Sequence, residues 1–275
     1  MKLAMCNELF GALDWPAVCR SIASHGYEGV EIAPFTFAPY VTAIGPKERR
    51  EIKTVAEEAG LTITGLHWLL ARTEGLHITS PDPAVRQRTA AYLIELVQFC
   101  RDLGGRVLVL GSPKQRSLLP GVAREAAMDY AAAVLAEAAR AAAASGAVIA
   151  LEPLTPAETD FICTAGEAME LIKRINSPGL RLHVDAKAST AESCPIGEVI
   201  AAYADYIAYV HVNDPNMLGP GMGDMDLTPL ITALRTIGYD GWLSVEAFRT
   251  GPGGVEEIMA KSRAYLLNLI SLVDE

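Results

Sequence analysis

The sequence predicts a single-domain (β/α)8 TIM barrel over residues 1–275, on three observations. Strand-like and helix-like patterns alternate eight times, the connections between them are short, and four strand ends in the second half each carry one polar residue. Alternation of this kind calls for a parallel sheet with helices outside it, closed on itself when eight units repeat. The four residues are Glu152 in VIALEP, Asp185 in LRLHVDAK, His211 in YIAYVHVND and Glu246 in WLSVEAF, at intervals of 33, 26 and 35 positions. One strand-plus-helix unit takes roughly 31 residues, about 250 shared among eight. The spacing therefore places all four at the same end of four successive strands, on the rim where barrels of this kind carry their chemistry.

The elements follow in order. A first strand over 3–6 leads to a helix over 15–25, and GVEIA is the second strand. A helix over 46–59 starts on a proline and stops at Gly60, the residue type that tolerates the conformation past a helix end. LTITGLHW has the β-branched content and alternation of a third strand. SPDP supplies cap and first-turn residues for a long amphipathic helix over 82–103. RVLVLG is almost wholly apolar, as a strand covered on both faces should be. After the loop SPKQRSLLPG come a helix over 122–144, the strand AVIALEP, a helix over 165–175 and the strand GLRLHVD. A short helix over 196–204, a strand over 206–212, a helix over 227–237, the strand WLSVEAF and a helix over 255–272 complete eight units. The one long polar loop, 213–226, is rich in Gly and Pro, and long loops in compact domains are usually functional.

Composition narrows the partners. A hydrophobic content of 51% with 20% charged residues implies a large buried core, and a net charge of −10 argues against nucleic acid or an anionic membrane. No run approaches the ~18 apolar residues of a membrane span, and the amino terminus reads as a first strand, not as a signal peptide. Five scattered cysteines without a CxxC pair fit reduced thiols of a cytoplasmic protein.

Residues two apart on a strand share a face, so Asp185 points with His183, His211 with Tyr209 and Asn213, and Glu246 with Ser244. Three carboxylates and an imidazole converging from four strands suit one divalent cation. Oxygen-rich donors favour Mn²⁺ or Mg²⁺, with Mn²⁺ preferred here, and the imidazole also admits Co²⁺, Zn²⁺ or Fe²⁺. Two glutamates on opposite sides of a chelated hydroxy-ketone can remove and return a proton next to the carbonyl, through a metal-bound enediolate. Glu152 and Glu246 are the candidates for that catalytic pair.

The motifs ALEPLTPAET, HVDAKA, HVNDPN with GPGMGDMD, and GYDGWLSVEAF, in this order and spacing, resemble the xylose isomerase-like superfamily of sugar phosphate isomerases and epimerases, which includes the ketose 3-epimerases. The resemblance covers the whole chain. It implies that Glu152, Asp185, His211 and Glu246 are metal ligands, that the two glutamates double as the proton-transfer pair, and that Glu158 contacts substrate. It also implies a small carbohydrate substrate and a homo-oligomer, dimer or tetramer. Two positions depart from the epimerase pattern: Ala188 stands where those enzymes carry a histidine, and Met217 where they carry an arginine.

Other polar groups near the rim are expected to replace those anchors. Lys187 falls two residues after Asp185, Lys114 and Arg116 lie in the loop after the fourth strand, and His67 ends the third. All four are candidate substrate contacts, whereas His183 points inward one layer deeper and is expected in a supporting or core role. Trp68, Phe35, Phe37 and Tyr40 are expected at a pocket mouth or an interface. The leading expectation is a metal-dependent isomerase or epimerase of a keto-sugar. The alternative is a lyase or dehydratase of 3-keto-glycosides or inososes that uses the same enolisation. Five histidines and an acidic pI near 5.1 argue against a multi-metal nuclease. A non-catalytic subunit would more naturally have lost a ligand.

Overall fold

In the computed structural model, which describes residues 1–273, eight strands close into a barrel in sequence order; positions 274 and 275, the end of the predicted domain, lie outside the described residues. The strands are Lys2–Cys6 (β1), Gly29–Ile32 (β2), Thr62–Leu66 (β3), Val107–Leu110 (β4), Val148–Leu151 (β5), Leu180–Asp185 (β6), Ile207–Val212 (β7) and Trp242–Val245 (β8). All neighbours are parallel, and β8 returns to pair with β1 through Lys2–Trp242 to Met5–Val245. The helices are Trp15–Ser24 (α1), Pro46–Glu58 (α2), Pro83–Asp102 (α3), Arg124–Ser145 (α4), Ala165–Ile175 (α5), Ile196–Ala202 (α6), Thr228–Thr236 (α7) and Gly254–Leu272 (α8).

Local chemistry sets the boundaries. The side chains of Asp14, Asp82 and Thr164 accept backbone N–H groups at the starts of α1, α3 and α5, satisfying donors that a helix start leaves open. Gly146 and Asn176, both left-handed, end α4 and α5. The helix expected over 196–204 is shorter, with a turn of 3₁₀ helix completing the path into β7. Further 3₁₀ turns follow β1, β2, β4 and β6, on the side of the barrel where the chain leaves the strands.

Period-two alternation divides two layers. Leu182, Val184, Ile149, Leu151, Val210 and Val212 face outward into the main apolar cluster shared with the helices. Val107, Val109, Ala150 and Tyr209 form a separate cluster inside the barrel. Tyr209 donates or accepts at 2.7 Å with Thr64 across the interior. The same inward positions, continued toward the carboxyl ends, become Cys6, Glu31, Glu152, Asp185, His211 and Ser244, all buried. The apolar plug thus stops where the polar site begins.

Candidate metal centre and substrate cleft

Glu152, Asp185, His211 and Glu246 each stand within one residue of a strand end. Asp185 and His211 are ladder partners, and the backbone N–H groups of Glu152 and Glu246 donate to Leu110 and Val212. The sheet therefore fixes all four backbones. At Gly111, just after β4, a Cβ would meet the Glu152 carboxylate, so glycine leaves that carboxylate its place. Glu152, His183, Asp185 and His211 offer ligand atoms that all lie within 4.8 Å of one another. Glu246 adjoins them, its Oε2 3.2 Å from His211 Nδ1, close enough for an ion pair but without hydrogen-bond alignment.

The opposite nitrogen of His211 is already engaged. Nε2 lies 3.0 and 3.1 Å from the two oxygens of Glu31, which reaches in from β2, and both residues are fully buried. An N–H on Nε2 leaves the Nδ1 lone pair facing the cluster, the arrangement in which a carboxylate orients a metal-ligating histidine. His67 extends the network, with Nδ1 3.7 Å from Glu31 and Nε2 2.8 Å from Glu8. Asp185 is held by Asn213 Nδ2 at 2.7 Å and by the backbone N–H of Ala188 at 2.6 Å.

The carboxylates crowd each other. Burial, then the neighbouring Glu246 and Asp185, pushes Glu152 well above the ordinary carboxylate range. Asp185 rises to about 6, by burial and by Glu246. Burial also opposes ionisation of Glu246, but His211 beside it outweighs that and holds it low. Burial disfavours the charged form of His211, yet the carboxylates of Glu31 and Glu246 on its two sides raise it well above the usual histidine value. Three acids packed around an imidazole, with His211 Nδ1 and both nitrogens of His183 lacking hydrogen-bond partners, fit a group that brings positive charge and accepts lone pairs. A divalent metal ion meets both needs.

A cleft of about 380 Å³ opens above this cluster. Of the four predicted ligands, Glu152 and Glu246 line it, while Asp185 and His211 lie behind. His67 lines it as expected, and so do Glu158 and Lys187. The strand does not continue to Lys187: the chain turns helical there and its backbone N–H donates to Asn213. The side chain nevertheless reaches the cleft, placing Nζ 2.8 Å from Glu158 Oε1 and 4.7 Å above the ring of Phe248. Glu158 also accepts from the N–H and hydroxyl of Thr155.

The loop after β4 behaves differently. Lys114 is exposed and lies outside the cleft lining. Arg116 is buried beneath the loop, where Nη1 donates to the carbonyls of Gly111 and Glu152 at 2.9 and 2.7 Å. It braces the backbone that carries Glu152. Among the aromatic residues, Trp68 lines the cleft edge-on to Phe248, and Phe35 packs behind Trp68. Phe37 and Tyr40 pack instead against Trp15 and Tyr92.

The sequence matches the family model described as xylose isomerase-like TIM barrel over residues 19–269. The chain belongs to this family. Within the xylose isomerase-like group it is similar to an L-ribulose 3-epimerase of Mesorhizobium japonicum, 32% identical over 196 residues, which are 70% of this chain and 64% of that protein. A D-psicose 3-epimerase of Ruminiclostridium cellulolyticum is 25% identical over 237 residues, covering 86% of this chain and 78% of the relative. The fold superposes on a 3-keto-D-glucoside 4-epimerase from E. coli with a TM-score of 0.84 at 20% identity, covering 98% and 99% of the two chains.

Sequence reasoning missed Glu31, Glu8, Asn213 and Gly111. Glu31 had a signal, since it interrupts the otherwise apolar strand GVEIA, and a charge there needs a buried partner. Nothing local marked Glu8 or Gly111, whose partners are distant in sequence.

Proposed function

We propose that the protein is a divalent-metal-dependent epimerase or isomerase of a small keto-sugar, with Glu152, Asp185, His211 and Glu246 as metal ligands. One observation carries this reading: of the four, only Glu152 and Glu246 present carboxylates to the cleft. They come from β5 and β8, on two sides of the cluster, and so can address two faces of one substrate carbon. One glutamate takes the proton from the carbon next to the carbonyl, and the other returns a proton from the opposite side, inverting that carbon. The reverse reaction exchanges their roles. Glu152, Asp185, His211 and Glu246 would hold a divalent cation, with Mn²⁺ the best match to an oxygen-rich donor set, and it would supply Lewis acidity toward the substrate carbonyl.

The cleft residues favour an uncharged sugar. Lys187 is the cation among them, and it is already paired with Glu158. Together the pair offers a donor and an acceptor for hydroxyl groups, in place of the anchors absent at Ala188 and Met217. Trp68 and Phe248 supply an apolar wall for the C–H face of the sugar. The relatives named above as epimerases of L-ribulose, D-psicose and a 3-keto-D-glucoside support the same class. No helix among the described residues is long and apolar enough to cross a membrane. All five cysteines are free, which supports a reducing, cytoplasmic setting.

Proton NMR in D₂O, with Mn²⁺-loaded protein and a panel of free ketoses and 3-keto-glucosides, tests the proposal. Deuterium at a carbon beside the carbonyl, together with a new epimer, is expected. Exchange accompanied by loss of an aglycone or water would make the enzyme a lyase instead, and absence of exchange across the panel would overturn the substrate class.

A further inference from the structure

We propose that His183 is a fifth donor to the metal centre, which then carries two imidazoles. The inference rests on the metal reading of the same site and extends it to a residue outside the predicted ligand set. His183 lies two residues before Asp185 on β6 and shares its inward face. It is 1% exposed, yet neither ring nitrogen has a hydrogen-bond partner. Buried polar groups are nearly always satisfied, and an ion beside this ring would take the lone pair of one of its two nitrogens.

Packing alone gives neither nitrogen a partner. The ring stacks near Tyr209, with centroids 6.1 Å apart, and meets His211 edge-on at 4.3 Å, contacts that leave both nitrogens bare. Nε2 is 4.0 Å from Glu152 Oε1, too far for a hydrogen bond. That separation is one that two ligand atoms on a single ion can span, at roughly 2.1 Å from each to the metal. Ligand atoms of His183, Glu152, Asp185 and His211 share one 4.8 Å neighbourhood.

The consequence is a change in metal preference. A second nitrogen donor raises affinity for Co²⁺, Fe²⁺ and Zn²⁺ relative to Mn²⁺ and Mg²⁺. The test uses the full-length apoprotein titrated with Co²⁺ and with Mn²⁺ against a competing chelator, for wild type, His183→Phe and His183→Gln. Proton NMR of the Co²⁺ form counts paramagnetically shifted ring N–H signals. Two such signals are expected in wild type and one in a variant, with Co²⁺ affinity falling at least tenfold and Mn²⁺ affinity falling less.

A single shifted signal in wild type, or Co²⁺ affinity unchanged in a folded variant, would overturn the fifth donor and leave the four-ligand epimerase reading standing. Wild type that binds neither ion would overturn both. The signal count in wild type decides the matter even where a variant fails to fold.

Discussion

Removing Glu31 should damage the protein twice, once in folding and once in metal binding. Glu31 and His211 are both fully buried, and their contact at 3.0 to 3.1 Å joins β2 to β7. Glu31→Ala leaves the imidazole without its acceptor, and breaking one side of a buried charged pair typically costs about 3–5 kcal/mol. At about 2–4 °C per kcal/mol for a chain of this size, the melting temperature should fall by roughly 6–20 °C. Glu31→Gln keeps an oxygen acceptor and loses only the charge assistance, about 1 kcal/mol. Glu31→Ala also frees the ring of His211 to rotate, and loss of such an orienting partner weakens metal binding by about 10- to 100-fold. Thermal and urea denaturation of the chelator-treated proteins isolates the folding effect, and titration calorimetry with Mn²⁺ measures the other. Glu31→Ala within about 1 kcal/mol of wild type, with unchanged Mn²⁺ affinity, would refute the claim that Glu31 orients His211.

Further perturbations separate the roles around the cleft. Glu152→Gln and Glu246→Gln should each lower turnover by at least the roughly 10²–10⁴-fold ascribed to a general acid–base group, whereas Asp185→Asn should mainly weaken metal binding. Turnover assays paired with metal analysis distinguish the two patterns, and near-wild-type rates in both glutamate variants would remove the mechanism. Gly111→Ala puts a Cβ into the Glu152 carboxylate; overpacking of this kind costs about 1–3 kcal/mol, and the displaced base should depress kcat more than KM. Lys187→Met should raise KM and destabilise the protein at pH 7 by up to ~1 kcal/mol, since its ion pair is partly exposed. Burial works against the Glu158 carboxylate, but Lys187 and Thr155 hold it below its ordinary range. The pair's contribution is therefore present above an unfolded value of roughly 4.3 and is lost as pH falls through the lower folded value. Urea denaturation at pH 7 and pH 3 should show the gap between Lys187→Met and wild type closing on acidification.

The barrel was legible because its strands are apolar runs at regular intervals, and the convergence of four polar side chains on one rim because each ends such a run. Glu152, Asp185, His211 and Glu246 needed only a count along the chain. Lys187 was placed in the cleft for an incomplete reason, since the strand stops at Asp185 and a helical turn delivers the side chain. Arg116 shows the limit more sharply. A loop cation reads as an anion site in sequence, but here backbone carbonyls left open by the turn after β4 capture it. Its partners include Glu152, 36 positions away, and no local pattern encodes that contact. The role of Glu31 was obscure for the same reason: its partner His211 stands on β7, which comes near β2 only when the ring closes.

His211 touches Glu31 through one nitrogen and faces Glu246 through the other. β2 and β7 are not adjacent; β8 and β1 stand between them in the ring. The imidazole is thus a strut across the seam where the last strand meets the first. An ion held by Glu152, Asp185, His211 and Glu246 would tie β5, β6, β7 and β8 to one point, and through Glu31 that point is anchored to the first quarter of the chain. Occupancy then works as a latch on ring closure, because a binder of the closed form alone stabilises it by RT ln(1 + [L]/Kd). Loading should slow the opening of the β1–β8 seam more than that of any other strand pair, so hydrogen exchange at Ala4 and Val245 would report the metal content of the barrel from a distance.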